Sequence, residues 1–329
     1  METPGGQTAM LSILSVKYGP ARLLEWNAGL CRALNPGARY DWIVVNNDFD
    51  EGFASGSAGF TVVPGVPPPA RVGAAGQKDQ GSLHHASALM AGLRHVSSRY
   101  LLLLDQDFYV VRPDWIAQLI SHAQTERLAF FGSVWHPRWT YQPRDFPSVH
   151  FMLIDLEQVP IGDLDFRPDM DGDRLDAFIS DPRLKIPAAL RTLLQAGKFR
   201  DTGWRVRERF RRSGLRSGSL ISTFDDRAVW REAYPLHRAA NRWLPEHRRL
   251  IPRRSVTDRS FLRPVSQIAF QGRWEEFWWQ GEPFAFHLRS VGRRSAAVPE
   301  DHAELKRLIE LYSAGASRFP APRSPAPPQ

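Results

Sequence analysis

The chain has little of what secreted and membrane-spanning proteins depend on. Its 329 residues include one cysteine, Cys31, so no internal disulfide can form. No run of 18 or more apolar residues is present, which argues against a membrane-spanning helix. The first ten residues lack the basic start and apolar stretch of a secretory signal. Together these absences predict a cytoplasmic protein.

Lysine is missing from the most basic stretch of the chain, which uses arginine instead. The net charge is +8, and residues 200–254 hold fifteen arginines against six acidic residues, an excess of nine. One interpretation is a surface that attracts phosphates, anionic lipid heads or nucleic acid, which would allow peripheral contact with the inner membrane face. The other is an ordinary solvated surface with a compositional bias toward arginine. The sequence leaves both open.

Strand-like and helix-like patterns alternate over the first 160 residues. Apolar runs predict strands over 10–16, 42–45, 60–63, 100–104, 128–134 and 149–154. Helical spacing predicts one helix over 23–34 and another that begins at an N-cap Ser82 and continues to Val96. Strands that alternate with helices favour an α/β fold, with a mostly parallel sheet flanked by helices and joined by right-handed crossovers.

The pattern becomes irregular after about Asp163, where Arg, Trp and Pro are frequent. We therefore predict an N-terminal half over 8–162 and an irregular C-terminal half of the same domain over 163–315. Residues 316–329 form a Pro-rich tail that we predict to be disordered.

The segment Leu101–Phe108, LLLLDQDF, carries the clearest chemical signal. Asp105 and Asp107 follow a buried strand, and side chains two apart on extended backbone point to the same side. Two carboxylates at the carboxyl end of a sheet strand can hold Mg²⁺ or Mn²⁺. Such a cation stabilises the charge that develops on a departing diphosphate. The alternative is that both residues only end the strand and start a turn.

These residues resemble a known family. The run GSLHHASALMAGLRHVSSRYLLLLDQDF is similar to family 2 glycosyltransferases, in which a Gly- and Ala-bearing helix precedes an apolar strand that ends in D-x-D. LSILSVKYGPARLLEWNAGLCRAL resembles their first strand and helix, and DWIVVNNDFDE their second strand. One detail departs: Ala88, Leu89 and Met90 stand where the family carries an Asn flanked by small residues. The resemblance implies a GT-A-like fold, with a nucleotide-sugar-binding half over 8–162 and an acceptor-side half over 163–315.

The resemblance also implies roles for single residues on the donor side. Asp107 becomes the principal ligand of Mn²⁺ or Mg²⁺, and Asp105 a second ligand on the diphosphate or ribose side. Asp48 would accept a hydrogen bond from the nucleobase, with Asn46 and Asn47 either sharing that readout or shaping a turn. The late His287 would be a third metal ligand, although a lone histidine among apolar residues is more often part of a core. Arg289 and Arg293 could close over the diphosphate.

An inverting transfer also needs a base that takes the proton of the acceptor hydroxyl. Asp201, in KFRDTGW, is the first candidate, and the alternative makes it the N-cap of a helix that runs through Val206 and Phe210. Asp155 is a rival, as are Asp171 and Asp173. The aromatic residues Trp274, Phe277, Trp278 and Trp279 could form an acceptor platform, but a helix face packed into the core is the favoured interpretation.

The sequence thus predicts a metal-dependent glycosyltransferase that moves a hexose from a nucleoside diphosphate sugar, with inversion, to a saccharide, a lipid-linked acceptor or a protein. Two other classes stay open. A polyanion-binding protein would use the arginine-rich stretch, but the chain has no recognisable motif for reading nucleic acid, so nucleic acid is not the expected partner. A nucleotidyltransferase would need a Gly-rich loop after its first strand, and Lys17–Pro20 is poor in glycine.

Overall fold

The computed structural model describes residues 10–48, 53, 59–67, 77–136, 142, 144–168, 182–185, 201–222, 274–288, 303, 306–307 and 310–311. Within these ranges the chain forms two sheets and four α-helices with defined bounds, and residues 303, 306–307 and 310–311 are also helical.

The larger sheet has seven strands. They are β1 (Leu11–Lys17), β2 (Tyr40–Asn46), β3 (Phe60–Pro64), β4 (Tyr100–Leu104), β6 (Phe130–Gly132), β7 (Phe151–Asp155) and β8 (Ser217–Ser219), in the order β3-β2-β1-β4-β7-β6-β8. Every neighbouring pair is parallel except the two that involve β7. This arrangement confirms the predicted α/β class with a mostly parallel sheet.

Helices cover both faces of this sheet. The helices are α1 (Ala21–Leu34), α2 (Gln77–Gly92), α3 (Trp115–Thr125) and α4 (Trp204–Phe210). The buried residues of α1 and α3 belong to one apolar cluster, and those of α2 and α4 to another. Because each face of the sheet packs against an apolar helix stripe, β4 is buried along its whole length. None of the described helices is long and apolar enough to cross a bilayer.

Two helices differ from the sequence prediction. Helix α2 begins at Gln77, so Ser82 lies inside it and is not its N-cap. Helix α3 was not predicted, although its buried positions Trp115, Ile116, Leu119 and Ile120 have helical spacing.

The smaller sheet has four antiparallel strands in the order β5-β11-β10-β9. They are β5 (Phe108–Val110), β9 (Ile221–Ser222), β10 (Trp274–Trp279) and β11 (Glu282–Leu288). The interpretation of Trp274–Trp279 as a helix face is wrong, because these residues form strand β10. Gln280 and Gly281 both have positive φ, 53° and 84°, which suits the tight turn of a β-hairpin. The spacing of these aromatic residues fits a helix as well as it fits a strand. Only the short length of the run and the turn that follows it distinguish a strand from a helix here.

The two sheets bring separate parts of the chain to one place. Strands β1, β2 and β4 are parallel, so their carboxyl ends, Lys17, Asn46 and Leu104, share one edge. The chain then turns into β5, where Phe108 pairs with His287 of β11. Strand β8 joins the larger sheet, while β5 joins the smaller one, so both halves contribute to both sheets. The boundary near residue 163 stays a prediction.

Candidate active site

Asp105 and Asp107 lie in a turn at the end of β4. The Phe108 amide donates a hydrogen bond to the Asp105 carbonyl at 3.0 Å, which closes the turn. This geometry differs from the extended backbone that the sequence predicted. The buried amide of Asn27, on α1, donates to the Phe108 carbonyl at 2.9 Å and to the Asp105 carbonyl at 3.4 Å. A helix residue that the sequence did not single out therefore fixes the turn.

Gln106, between the two aspartates, ties this turn to the loop after β1. Its side-chain amide donates to the Tyr18 carbonyl at 2.5 Å, and its oxygen accepts from the Tyr18 amide at 3.3 Å. Gln106 is buried, while Tyr18 is half exposed. The middle residue of the motif thus has a structural role, and it holds an exposed aromatic ring at the carboxyl edge of the sheet.

His287 faces both aspartates. Its Nε2 lies 3.7 Å from Oδ1 of Asp107 and 3.9 Å from Oδ2 of Asp105. These distances are too long for hydrogen bonds. They fit donors that surround one cation, because ligands about 2.1 Å from an octahedral cation are roughly 3 to 4.2 Å apart. The structure therefore brings together the three residues that the resemblance named as metal ligands.

His150 is a fourth residue at this site, and the sequence analysis missed it. It comes directly before β7, and one ligand atom each of Asp105, His150 and His287 lie within 4.8 Å of one another. The two imidazole rings have centroids 4.7 Å apart. On another side, Nε2 of His85, on α2, lies 3.8 Å from Oδ1 of Asp105. The only sequence signal for His150 was its place at the start of an apolar strand.

Glu275 binds the nitrogen of His287 that does not face the aspartates. The two residues face each other across β10 and β11, and Oε2 of Glu275 lies 2.8 Å from Nδ1 of His287. Burial alone would raise the pKa of Glu275, but the hydrogen bond with His287 and the charges of His136 and His150 outweigh it, so that pKa falls well below its usual value. Glu275 is therefore a buried carboxylate anion that accepts the Nδ1 proton.

The same interactions set the charge of His287. Burial alone would lower the pKa of His287, but the hydrogen bond and charge of Glu275, with the charges of Asp107 and Asp105, raise that pKa to about 9. Carboxylates and imidazoles are ligands of divalent cations, so the donor set fits such an ion.

Asp48 already has two partners within the protein. Its Oδ1 lies 2.6 Å from Nζ of the buried Lys17, and its Oδ2 accepts from the Gly19 amide at 2.8 Å. Asn47 is similarly engaged, since its Oδ1 accepts from the Val66 amide at 3.3 Å. These contacts favour loop-shaping by Asn47, and the contact of Asp48 with a nucleobase stays a prediction.

Asp201 contacts α2 at Ser82, one helical turn before His85. Its Oδ1 accepts from the Ser82 hydroxyl at 2.5 Å and from the Thr202 amide at 2.7 Å. Ser82 and His85 are three residues apart and so share a face of α2, and His85 lies close to Asp105. Asp201 is therefore held near the candidate cation site.

The alternative role of Asp201 as a helix cap is not observed. The N-cap of α4 is Gly203, with no side-chain capping hydrogen bond. Gly203 has a φ of +86°, and a Cβ there would lie 2.8 Å from Cγ1 of Val149. A glycine is needed at this position, and the Asp201 carboxylate instead faces a cleft lined by Trp135, Ser148 and Trp204. Trp135 and Ser148 also contact His150, so the cleft adjoins the cation site.

Asp155, the rival base, is at the wrong end of the sheet. In the antiparallel β4–β7 pair it lies opposite Tyr100, at the amino end of β4, whereas Asp105 follows the carboxyl end. Five strand residues, about 16 Å, separate the two edges. Its carboxylate is buried and accepts from the Arg99 guanidinium at 3.1 and 3.3 Å and from the Gln158 amide at 2.9 Å. Asp155 is corrected to a structural residue.

Several predicted residues lie outside the described part of the chain. They are Arg289, Arg293, Asp171, Asp173, the stretch 223–254 and the tail 316–329. Within the described part of the basic stretch, five arginines form ion pairs with acidic residues: Arg205, Arg207, Arg209, Arg211 and Arg216. This internal pairing gives no support to a polyanion-binding surface there.

One protein-family model matches part of the chain. Residues 77–159 match the family model described as glycosyl transferase family 2. The matched segment contains α2, the aspartate turn, α3 and His150, and it confirms the resemblance seen in the sequence. No curated protein sequence matches the chain.

Distant likenesses to solved structures accompany this match. A mannosyltransferase from Pyrobaculum calidifontis, in complex with GDP-Man and Mn²⁺, is 15% identical with a TM-score of 0.32, and the alignment covers 46% of each chain. The galactosyltransferase LgtC, in complex with donor and acceptor sugar analogues, is 11% identical with a TM-score of 0.38, over 77% of this chain and 84% of that one. Mouse xyloside xylosyltransferase 1, in its apo form, is 12% identical with a TM-score of 0.34, and the alignment covers 73% of this chain and 95% of that one. The chain thus spans about half the length of the mannosyltransferase.

Proposed function

We propose that this chain, a glycosyltransferase with a GT-A, family 2-like fold, uses a divalent cation to transfer a sugar from a nucleoside diphosphate donor. The observation that carries the proposal is the convergence of Asp105, Asp107 and His287 at the carboxyl edge of the sheet. The two aspartates lie inside the segment that matches the family. His287 reaches them from a strand about 180 residues later in the chain.

On the donor side, Asp105, Asp107 and His287 would hold the cation, Mn²⁺ or Mg²⁺. When bound, it neutralises negative charge that develops on the departing diphosphate. Asp107 is buried and Asp105 is partly exposed, so Asp105 is the one placed to meet the donor as well. The turn that carries them is held by Asn27, so the carboxylates need little rearrangement as charge develops.

On the acceptor side, Asp201 would act as the general base. The acceptor oxygen attacks the anomeric carbon, the bond between that carbon and the diphosphate oxygen breaks, and the hydroxyl proton moves to the Asp201 carboxylate. Ser82 and the Thr202 amide both donate to Oδ1, and the Gln142 side-chain amide, which also lines the cleft, donates to Oδ2 at 3.4 Å. Trp135 and Trp204 line this cleft, where Trp135 packs edge-on against His150 and the Arg207 guanidinium covers one face of Trp204. Inversion is what the resemblance implies, because a single displacement by the acceptor oxygen reverses the configuration at the anomeric carbon.

The nucleobase would lie beside the loop after β1. Asp48 and Lys17 form an ion pair there, and Tyr18 is held by Gln106 with its ring half exposed. A saccharide, a lipid-linked acceptor or a protein remains open as the acceptor, and a cytoplasmic location stays a prediction.

The proposal is tested by donor binding. Purified protein is heated with a panel of sugar nucleotides, each with Mn²⁺ and with excess chelator, because a ligand that binds the native state raises the unfolding temperature. We expect one donor class to raise it only when Mn²⁺ is present, and Asp107→Asn to remove that rise. Asp41→Asn is the matched control, since Asp41 is exposed at the opposite edge of the sheet. If no sugar nucleotide stabilises the wild type, the proposed function is wrong.

A further inference from the structure

We propose that His150 is a direct ligand of the cation, together with Asp105 and His287. The site would then present two imidazoles and would prefer a first-row transition-metal dication over Mg²⁺. This inference rests on the proposed function, because it assumes that a cation binds at the aspartate turn. It goes further, since the resemblance assigned only Asp105, Asp107 and His287.

The position of His150 is fixed by the sheet. His150 precedes β7, whose first residue Phe151 pairs with Leu104, the last residue of β4. The Asp105 amide donates to the His150 carbonyl at 2.9 Å, so the two residues stay next to each other beyond the strand ends. A ligand pair held by backbone hydrogen bonds is pre-organised, which reduces the cost of ordering the site.

The ring of His150 is held on three sides. Its Nδ1 lies 3.1 Å from the Ser148 hydroxyl. The Trp135 ring packs edge-on against it with ring centroids 4.4 Å apart, and the His287 and His150 ring centroids are 4.7 Å apart. Ser148 engages Nδ1, so coordination of the cation by His150 would use Nε2. His287 shows the same pattern, because Glu275 engages its Nδ1. Metal-binding histidines commonly use one nitrogen for the metal and the other for such a partner.

Two imidazoles change which cation the site prefers. Mg²⁺ is bound through oxygen ligands and water, whereas imidazole nitrogen suits transition metals. Asp105, His150 and His287 have ligand atoms within 4.8 Å of one another, and with Asp107 the set would hold two imidazoles and two carboxylates. We therefore expect Co²⁺ and Mn²⁺ to bind at least about tenfold more tightly than Mg²⁺.

The test counts nitrogen ligands directly. Mn²⁺ is bound to the full-length protein without substrate, and pulsed electron paramagnetic resonance detects the nitrogens coupled to the ion. The wild type should show two imidazole nitrogens coupled to the ion. Each of the single variants His150→Ala and His287→Ala should show one. His95→Ala is the matched control, because His95 is exposed near the amino end of β4, and it should keep both.

The outcomes distinguish the role of His150 from the proposed cation mechanism as a whole. In His150→Ala we expect the Mn²⁺ affinity to fall at least about tenfold and the Mg²⁺ affinity to change by less than about threefold. One nitrogen in the wild type would overturn the role of His150 and leave the proposed function intact, whether or not the variants fold. A wild type that binds no Mn²⁺, Co²⁺ or Mg²⁺ would overturn the proposed cation mechanism itself.

Discussion

Glu275 and His287 face each other across the β10–β11 hairpin, with Oε2 of Glu275 2.8 Å from Nδ1 of His287. The carboxylate is buried, and the imidazole presents its other nitrogen to Asp105 and Asp107. Because a hydrogen bond at Nδ1 fixes both the tautomer and the ring orientation, Glu275 would position His287 for the proposed cation without touching it.

Glu275→Gln should weaken binding of the cation. The glutamine oxygen can still accept the Nδ1 proton, but the charge that raises the basicity of the imidazole is lost. Loss of such a partner commonly costs about 10- to 100-fold in metal affinity. Calorimetric titration with Mn²⁺ measures the change, and Glu282→Gln, on an exposed residue of β11, is the control. An unchanged affinity in Glu275→Gln would show that Glu275 does not position His287.

Asp201→Asn should stop transfer while donor binding persists. An asparagine keeps the hydrogen bonds from Ser82 and the Thr202 amide but cannot accept a proton, and loss of a general base costs about 10²- to 10⁴-fold. Ser82→Ala should have a smaller effect, because it removes one of the donors that orient the carboxylate. Transfer rates and donor-induced stabilisation are measured on the same samples, with Asp163→Asn as the control. Transfer within about threefold of wild type would assign the base elsewhere.

Asp155→Asn should affect stability and not chemistry. Asp155 is buried and accepts from Arg99 and Gln158 at the edge of the sheet away from the site. Disruption of a buried, charged hydrogen-bond network should cost about 1–3 kcal/mol in the free energy of unfolding. Urea denaturation measures this cost, and transfer is compared at a temperature where both proteins are folded. A stable variant without transfer activity would contradict the structural role.

Asp165 should make stability depend on pH in the acid range. The hydrogen bond with Arg167 lowers the pKa of Asp165 to about 2, aided by Arg205 on α4. Because the folded pKa lies below the unfolded one, this stabilisation is present above about pH 4 and is lost as the pH falls through 2. The pair is partly exposed, so the contribution is at most about 1 kcal/mol. The difference in urea midpoint between wild type and Asp165→Asn should therefore close between pH 5 and pH 2, and a constant difference would contradict the assignment.

The donor side of the site could be predicted from sequence because it is local. Asp105 and Asp107 directly follow a continuous apolar strand, and the order of strands and helices implies which edge they occupy. His287 could be named only by resemblance, since nothing in the sequence shows that β11 pairs with β5.

The remaining residues depend on register between distant strands. His150 comes next to Asp105 through the antiparallel β4–β7 pair, and Glu275 comes opposite His287 through a hairpin that was interpreted as a helix. Asp155 shows the same limit, because the register places it at the opposite edge of the sheet from Asp105, about 16 Å away. Such contacts are set by tertiary pairing and leave no local pattern.

The most direct test of the account is metal-dependent donor hydrolysis by wild type and Asp107→Ala. With the donor selected by the binding panel, the wild type should turn over with Mn²⁺ and stop in excess chelator. Asp107→Ala should lose about 10²- to 10³-fold in both hydrolysis and transfer, with an unchanged circular dichroism spectrum. Full activity of Asp107→Ala, or of the wild type in excess chelator, would contradict the claim that this carboxylate holds a cation against the leaving diphosphate.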